Sequence, residues 1–210
     1  MTFDAPEDTV TAEDTLREIY PAVSKLAEQK ALPRLEKHCR NFIAHSPFLC
    51  LSTADAAGKA DVSPRGDAPG FVQVLDDKTL LIPDRRGNNR LDSMSNIIAN
   101  PNVGLIFLVP GVGETLRING KARIVRDEAM LASMAVNGKA PTSAILVEVD
   151  EAFLHCAKAI IRSKLWDEDH KLERGSFPSL GRMISEQIET GQPVEVAEAA
   201  IEDAYKNKLY

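Results

Sequence analysis

Apolar residues follow two different periods along the chain, and the changes of period divide it into three parts. Up to about Ser46 they recur three and four positions apart, which is the period of an amphipathic helix. From Phe48 to Asp150 short apolar runs alternate with turn residues, a pattern that favours strands. Beyond that point the helical spacing returns. We therefore predict an N-terminal helical extension over residues 1–46, a strand-rich core over 47–150 and a helical tail over 151–210.

The central part is predicted to contain about six short strands and one helix. Between Thr115 and Val125 apolar and polar side chains alternate, as they do on the two faces of a sheet. A helix is predicted between Asn88 and Asn100, where apolar residues fall on one face. Short strands separated by tight turns are typical of a small closed or half-open barrel. The other predicted strands are Phe48–Thr53, Ala60–Ser63, Phe71–Leu75, Thr79–Pro83, Val103–Val109 and Ser143–Val149.

The tail is predicted to form three helices, over Phe153–Ser163, Ser179–Glu189 and Val194–Leu209. Their apolar faces are narrow, which indicates helices that cover another surface rather than a separate core. We expect the tail to pack on the barrel or on a second subunit.

Composition and charge exclude several classes of protein. The chain has 210 residues, of which 44% are apolar and 27% charged, and its formal net charge is −6. This balance is typical of a globular protein and not of a disordered chain. Nucleic acid is not an expected partner, because duplex-binding domains are basic. No run of about 18 apolar residues is present and the acidic start does not resemble a signal peptide, so we expect a cytoplasmic protein without a membrane span.

A basic turn between a predicted strand and a predicted helix carries the strongest chemical signal. It runs Asp84-Arg85-Arg86-Gly87-Asn88-Asn89-Arg90. Free N–H groups at a helix N-terminus attract anions, and arginine adds a planar donor fork that suits phosphate. Three arginines beside a helix start, in an acidic protein, therefore indicate a phosphate site. The alternative is a solvated loop in which Asn88 or Asn89 caps the helix.

A second element lies at a strand end, in Ser63-Pro64-Arg65-Gly66-Asp67. Side chains two residues apart on a strand share a face, so Ser63 and Arg65 point to the same side. Pro64 cannot donate to a ladder and indicates an edge or a bend. Arg65 is a candidate second phosphate fork, and a surface interaction between Arg65 and Asp67 is the alternative.

Histidine and cysteine do not form a metal site in the predicted elements. The pairs His38-Cys39 and His155-Cys156 are each adjacent in sequence, and adjacent residues on a helix point in different directions. The chain has no Cys-x-x-Cys motif, and its three cysteines are widely spaced, which favours reduced thiols over a disulfide framework. We predict no metal.

These segments follow one another in a recognisable order. A strand ends in Arg65, and two strands later Leu80–Arg90 forms a basic and polar turn. The turn leads into a helix that ends near Asn100-Pro101, and Thr115–Ala122 follows as a strand with a central glycine. In this order and spacing the region from Phe48 to about Val149 resembles the pyridoxamine 5'-phosphate oxidase-like flavoproteins, the FMN-binding split-barrel family.

The resemblance extends into the tail and implies a fold, a cofactor and a partner. Leu154–Ala159 and Ser163–Trp166 are similar to the tail of the uncharacterised FMN-dependent branch of that family. The implied fold is mainly β with flanking helices, a split β-barrel of the FMN-binding type. The implied function is oxidoreduction of a small organic substrate by FMN, in a homodimer that holds FMN at the subunit interface.

The resemblance also implies which residues bind the cofactor. A strand end and the basic turn would hold the phosphate, one strand would meet the flavin ring, and the tail would act from the other subunit. The implied contacts are Ser63 and Arg65 at the strand end, Arg86, Asn88, Asn89 and Arg90 in the turn, Ile82 and Pro83 along the ring, Thr115 at its far edge, and Lys164 and Trp166 in trans.

Three departures from the family pattern narrow the prediction. The turn is less basic at Asn88-Asn89, although Arg85, Arg86 and Arg90 can compensate, and Pro83 has no N–H to donate to a ring carbonyl. The C-terminal Arg-x-His substrate signature is absent, so pyridoxamine phosphate is not predicted as the substrate. No side chain is assigned as a catalytic acid or base. A deazaflavin or haem in the same barrel, and a flavin-binding protein without enzymatic activity, remain as alternatives.

Overall fold

Contacts between residues divide the chain after Ala31 into two units, Met1–Ala31 and Leu32–Tyr210. The computed structural model describes residues 9–173, 175–188, 191 and 193–210. The first unit contains two short helices, α1 (Glu13–Ile19) and α2 (Lys25–Gln29), neither of which buries a residue.

The larger unit is built on one antiparallel sheet. Its strands lie in the order β2-β1-β5-β6-β7-β4-β3, and both predicted hairpins are present as neighbouring pairs. The strands are β1 (Phe48–Ala54), β2 (Ala60–Gly66), β3 (Gln73–Val74), β4 (Thr79–Pro83), β5 (Asn102–Leu108), β6 (Thr115–Val125) and β7 (Ala144–His155).

Helices precede and follow the strands of this sheet in the sequence, and two of them lie between strands. The helix α3 contributes the buried residues Cys39 and Ile43 to the core; the sequence pattern had grouped it with the extension over residues 1–46. Among the described residues no helix has the length and apolar character needed to cross a membrane. The helices of the larger unit are α3 (Lys37–His45), α4 (Asp92–Ala99), α5 (Glu128–Ser133), α6 (Lys158–Ser163), α7 (Leu180–Ile188) and α8 (Val194–Asn207), with one 3₁₀ turn at Glu168–His170.

The core lies on the inner face of the sheet, where the predicted alternation is observed. Along β6, Leu116 and Ile118 are fully buried while Lys121 and Arg123 on the outer face are exposed. The helices α7 and α8 agree with the predicted tail helices; Glu189, the last residue of the first prediction, lies outside the described residues.

β7 is longer than predicted and contains a bulge. The strand continues to His155, so the predicted boundary after Asp150 falls inside it, and the helix predicted from Phe153 begins instead at Lys158. Asn119 pairs with Glu151 but the next residue, Gly120, pairs with Val149, which leaves Asp150 unpaired. Because of the extra residue, two positions instead of one separate the buried Val149 from the next buried residue, Ala152. A spacing of three between apolar residues is typical of a helix, and the sequence pattern is interpreted as one.

An ion pair links two regions that are far apart in the strand order. Arg65 on β2, the first strand in the order, donates from Nη1 to Asp84 Oδ1 at 2.9 Å, and Asp84 directly follows β4, the sixth strand. The sheet must therefore curl until its two ends meet, as in a split barrel.

Two side-chain hydrogen bonds attach α4 to the first hairpin. Ser93 Oγ donates to Asp61 Oδ2 at 3.2 Å, and Asn96 Nδ2 donates to Thr53 Oγ1 at 3.0 Å. Ser93 is buried, so its hydroxyl needs this partner. Helix and hairpin are thus held together through polar groups as well as apolar contacts.

Candidate functional site

A cavity of about 1380 Å³ opens where the two ends of the sheet meet. Its walls are β2, the segment from Pro83 to Met94, the residues around Arg126 and Lys139, and Tyr210. The volume exceeds the usual range for a single small-molecule pocket, roughly 300–1,000 Å³. The cavity has room for a cofactor together with a second molecule.

Alternation along β2 directs three polar side chains into this cavity. Asp61, Ser63 and Arg65 are half-buried and line it, while Val62 and Pro64 between them also border the cavity but are exposed. Ser63 and Arg65 therefore share a face, as the strand period predicts.

Arg65 has a donor that the protein leaves unused. Its Nη1 is bound to Asp84, but its Nε is buried and has no hydrogen-bond partner within the described part of the chain. The side chain as a whole is 18% exposed and lines the cavity, whereas its Nε is buried behind that surface. A buried N–H without a partner costs free energy, on the order of 1–3 kcal/mol. An anion that reached this N–H would remove that cost.

The basic turn precedes helix α4 in an irregular conformation. Asn89 and Leu91 both have left-handed backbone, with φ values of 58° and 60°. Asn88 Oδ1 accepts a hydrogen bond from the Arg90 N–H at 3.1 Å. The helix begins at Asp92, later than predicted. Its N-cap is Leu91, whose side chain makes no capping hydrogen bond, and not Asn88 or Asn89. In the described part of the chain no side chain caps the start of α4, which lies at the cavity wall, so its first N–H groups remain open to another acceptor.

The three arginines of the turn differ in their partners. Arg90 Nε pairs with Asp92 at 2.7 Å, and this hydrogen bond raises the pKa of Arg90. Arg85 Nε pairs with Asp67 at 2.6 Å, so this donor is already occupied. Arg86 is exposed and has no ion pair or hydrogen bond among the described residues. Arg86 is therefore the cation of the turn that is available to a ligand.

Two further cations line the cavity that the sequence pattern did not single out. Arg126 follows β6, and Lys139 lies in the loop before β7. They are 36 residues or more from the basic turn in sequence, and only the sheet brings them near it. In the described lining, cationic side chains outnumber carboxylates six to three: Arg65, Arg85, Arg86, Arg90, Arg126 and Lys139 against Asp61, Asp84 and Asp92.

The structure brings together only part of the predicted site. Ser63, Arg65, Pro83, Arg86, Asn88, Asn89 and Arg90 all line the cavity. Ile82, by contrast, is fully buried in the core and is not a lining residue.

The other predicted contacts lie elsewhere in the same chain. Thr115 starts β6, nine residues before the lining residue Ile124, which is about 30 Å of extended strand. Trp166 donates from Nε1 to the Val112 carbonyl at 2.8 Å, in the loop that precedes Thr115. Lys164 ends α6 with a φ of 51°. None of these three residues lines the cavity of its own chain.

One carboxylate beside the cavity is held in its ionised form. Burial by itself raises the pKa of Asp67, but hydrogen bonds from the Tyr210 hydroxyl and the Ala68 N–H, together with the Arg85 guanidinium, lower it below the usual range for aspartate. The ionised form is therefore the one that stabilises the fold.

Asp67→Asn is expected to lower the free energy of unfolding at pH 7 by about 2 kcal/mol, because Arg85 loses a charged partner. A carboxylate whose pKa is lower in the folded chain than in the unfolded chain stabilises the fold at pH values above its unfolded pKa, near 3.9. That stabilisation is lost as the pH falls through the pKa of the folded state. The difference between wild type and variant should therefore shrink below about pH 4. Urea unfolding at pH 7 and pH 3 measures it, with the exposed Asp169→Asn as control. A difference that stays constant with pH would contradict this account.

Comparison with known proteins agrees with this architecture. A family model described as pyridoxamine 5'-phosphate oxidase matches residues 35–156, which is more than half of the chain. An antiparallel sheet curled upon itself, with flanking helices and a basic cavity at the seam, defines a protein of the split-barrel class. The chain belongs to the pyridoxamine 5'-phosphate oxidase family.

Several solved structures are similar to it. HupZ from Group A Streptococcus is 19% identical with a TM-score of 0.48, covering 57% of this chain and 92% of its own. General Stress Protein 26 from Bacillus anthracis is 17% identical with a TM-score of 0.41, covering 56% and 93%. The FAD binding protein from Mycobacterium smegmatis is 20% identical with a TM-score of 0.41, covering 59% and 97%. No curated protein matches the chain.

Proposed function

We propose that this protein binds FMN at the seam of the barrel and uses it to oxidise or reduce a small organic substrate. The observation that carries the proposal is the buried Arg65 Nε, a donor without a partner in the described chain, on a residue that lines a cavity with a surplus of cationic side chains. Family membership supports a flavin as the occupant.

The phosphate of FMN fits the donors that the cavity offers. Arg65 supplies the unused Nε, Arg86 supplies an unpaired charge, and the uncapped start of α4 supplies N–H groups. A phosphate ester carries up to two negative charges, and both arginine forks and helix N-termini favour such a group. Asn88, Asn89 and Arg90 would shape the turn around it, and Ser63 would contribute a hydroxyl from the same strand face as Arg65.

The flavin ring would lie along the end of β4. Pro83 lines the cavity, but it has no N–H, and the N–H of Asp84 already donates to the Ser143 carbonyl at 3.0 Å. Ring recognition from this strand would therefore rest on contact with Pro83, without a donor from residue 83. The bound flavin supplies hydride or electron transfer, while the protein orients it, balances its charge and excludes water.

We further propose that the protein acts as a homodimer and that the partner copy completes the site. Thr115, Lys164 and Trp166 lie away from the cavity of their own chain. Trp166 contacts the β5–β6 loop at Val112, three residues before Thr115, and Lys164 lies two residues before Trp166. If these three residues contact the cofactor, they reach it in a second subunit. Light scattering of the purified protein, with and without FMN, measures the oligomeric mass, and a monomer in both states would contradict this part of the proposal.

The visible absorption spectrum of the purified protein, with chromatography of whatever heat releases, tests the cofactor. We expect released FMN at near one equivalent per chain, or uptake of added FMN by a colourless preparation. Titration with a deazaflavin and with haem in parallel separates the alternatives, because each has its own absorption bands. Protein that takes up haem or deazaflavin but not FMN would overturn the assignment.

Turnover separates an enzyme from a flavin-binding protein. The first assay follows the absorbance of a reduced nicotinamide as the FMN-loaded protein consumes it in air. The second assay, without oxygen, follows the loss of the flavin absorbance as the bound flavin is reduced. Steady turnover above that of free FMN supports an oxidoreductase. A flavin that no nicotinamide or small organic donor reduces would contradict enzymatic activity.

A further inference from the structure

Tyr210 is held at the cavity by contacts from three distant segments of the chain, two to its side chain and one to its backbone. Its hydroxyl donates to Asp67 Oδ1 at 2.7 Å, and the Arg85 guanidinium lies 5.7 Å from the centre of its ring. Lys139 Nζ donates to the backbone oxygen of Tyr210 at 3.4 Å. An arginine within about 6 Å of an aromatic centroid is in range of a cation–π interaction.

The anchor beneath Tyr210 is buried and fixed in place. The Asp67 side chain is 2% exposed and that of Arg85 is 16% exposed, and they pair at 2.6 Å. Arg85 also donates from Nη1 to the Met134 carbonyl at 2.9 Å. A charged pair in such surroundings, with further hydrogen bonds on both members, holds one geometry. The tyrosine is therefore attached to a buried ion pair that joins the segments following β2 and β4.

Tyr210 is also part of the cavity wall. It lines the cavity together with Arg85 and Lys139, the two cations that contact it, and it remains 37% exposed. Its hydroxyl donates to Asp67, and one face of its ring lies near Arg85. The rest of the ring can contact a molecule in the cavity. This side chain can contact the ligand without losing its anchor.

We infer that Tyr210 is a ligand-retaining residue of this cavity, which covers the Arg85 side of the bound molecule and slows its release. This inference rests on the proposed function in taking FMN as the occupant. The ring blocks the route past Arg85, and the hydrogen bond to Asp67 keeps the ring in that position.

Stopped-flow dissociation of FMN, followed by the recovery of flavin fluorescence, tests the inference. Tyr210→Ala is expected to raise the dissociation rate constant about tenfold, since it removes the ring and the hydrogen bond together. Tyr210→Phe keeps the ring and is expected to raise it about threefold. Tyr205→Ala is the matched control, because Tyr205 lies in α8, is 59% exposed and does not line the cavity. Equal rates for wild type, Tyr210→Ala and Tyr205→Ala would overturn the inference.

A second measurement needs no ligand and separates failure of this inference from failure of the FMN proposal. Phenylglyoxal modifies accessible arginines, and peptide mapping by mass spectrometry gives the rate at Arg85 alone. Without any ligand, Tyr210→Ala should raise the modification rate of Arg85 severalfold, and Tyr205→Ala should not. If FMN does not bind but Arg85 becomes reactive, the cofactor proposal fails and the covering role of Tyr210 stands. If Arg85 is equally reactive in all forms, the covering role is wrong whatever ligand binds.

Discussion

Arg65→Ala is expected to weaken FMN binding by about two orders of magnitude. The substitution removes the unused Nε donor and the positive charge beside it, and each hydrogen bond between charged partners contributes about 1.5–3 kcal/mol. Because the group lies in the cavity wall at 18% exposure, salt screens it less than it screens a surface charge. Quenching of FMN fluorescence at fixed ionic strength measures the dissociation constant.

Two further variants identify the cause of the loss. Arg123→Ala removes the same charge from the outer face of β6, where Arg123 is 66% exposed and pairs with Glu148 at 3.5 Å, and it should leave the dissociation constant within about twofold. Arg65→Lys keeps the charge but loses the Nε and the planar fork, so it should recover only part of the affinity. Full recovery with lysine would show that charge alone matters and would contradict a role for the orphaned donor.

Gly120→Ala is expected to destabilise the larger unit by about 3–5 kcal/mol, or to prevent its folding. A Cβ at this position would lie 2.1 Å from the Glu148 backbone oxygen and 3.3 Å from Val149 Cα. Both neighbours are backbone atoms of the bulged strand, which cannot move aside without breaking the ladder between β6 and β7. Urea unfolding followed by circular dichroism measures the change.

Gly104→Ala is the matched control for this substitution. Gly104 lies in β5, the strand next to β6, and a Cβ there would meet only Asn119 Oδ1 at 3.6 Å and Ser52 Cβ at 3.8 Å, which are ordinary contacts. Alanine also reduces the entropy of the unfolded chain, so this variant should lie within about 1 kcal/mol of wild type. Equal losses at both positions would indicate a general cost of alanine in the sheet and would contradict the special role of the bulge.

The sequence predicted those parts of the fold that depend on residues close together in the chain. Both hairpins have turn residues between apolar runs, and β6 alternates over its whole length, so their strands are present where expected. The end of β7 was missed because a bulge at Asp150 depends on the partner strand, and its effect on the spacing of buried residues imitates a helix.

The candidate site shows the same division between local and distant signals. Ser63 and Arg65 share a face because of the strand period, and the basic turn is visible as a run of arginines. That Arg85 pairs with Asp67, leaving Arg86 available, depends on side-chain directions at the junction of two segments. The role of Tyr210 could not be predicted, because 143 residues separate it from the aspartate that it binds.

The attachment of α4 to the first hairpin has a kinetic consequence. Arg65 on β2 and the turn before α4 are carried by one unit, since Ser93 and Asn96 bind Asp61 and Thr53. If FMN binds at the seam as proposed, its phosphate meets donors that this unit already holds together, so binding requires little rearrangement of the protein there. Association rate constants should therefore be nearly the same for wild type and variants in which this unit is intact, and differences in affinity should reside in the lifetime of the complex.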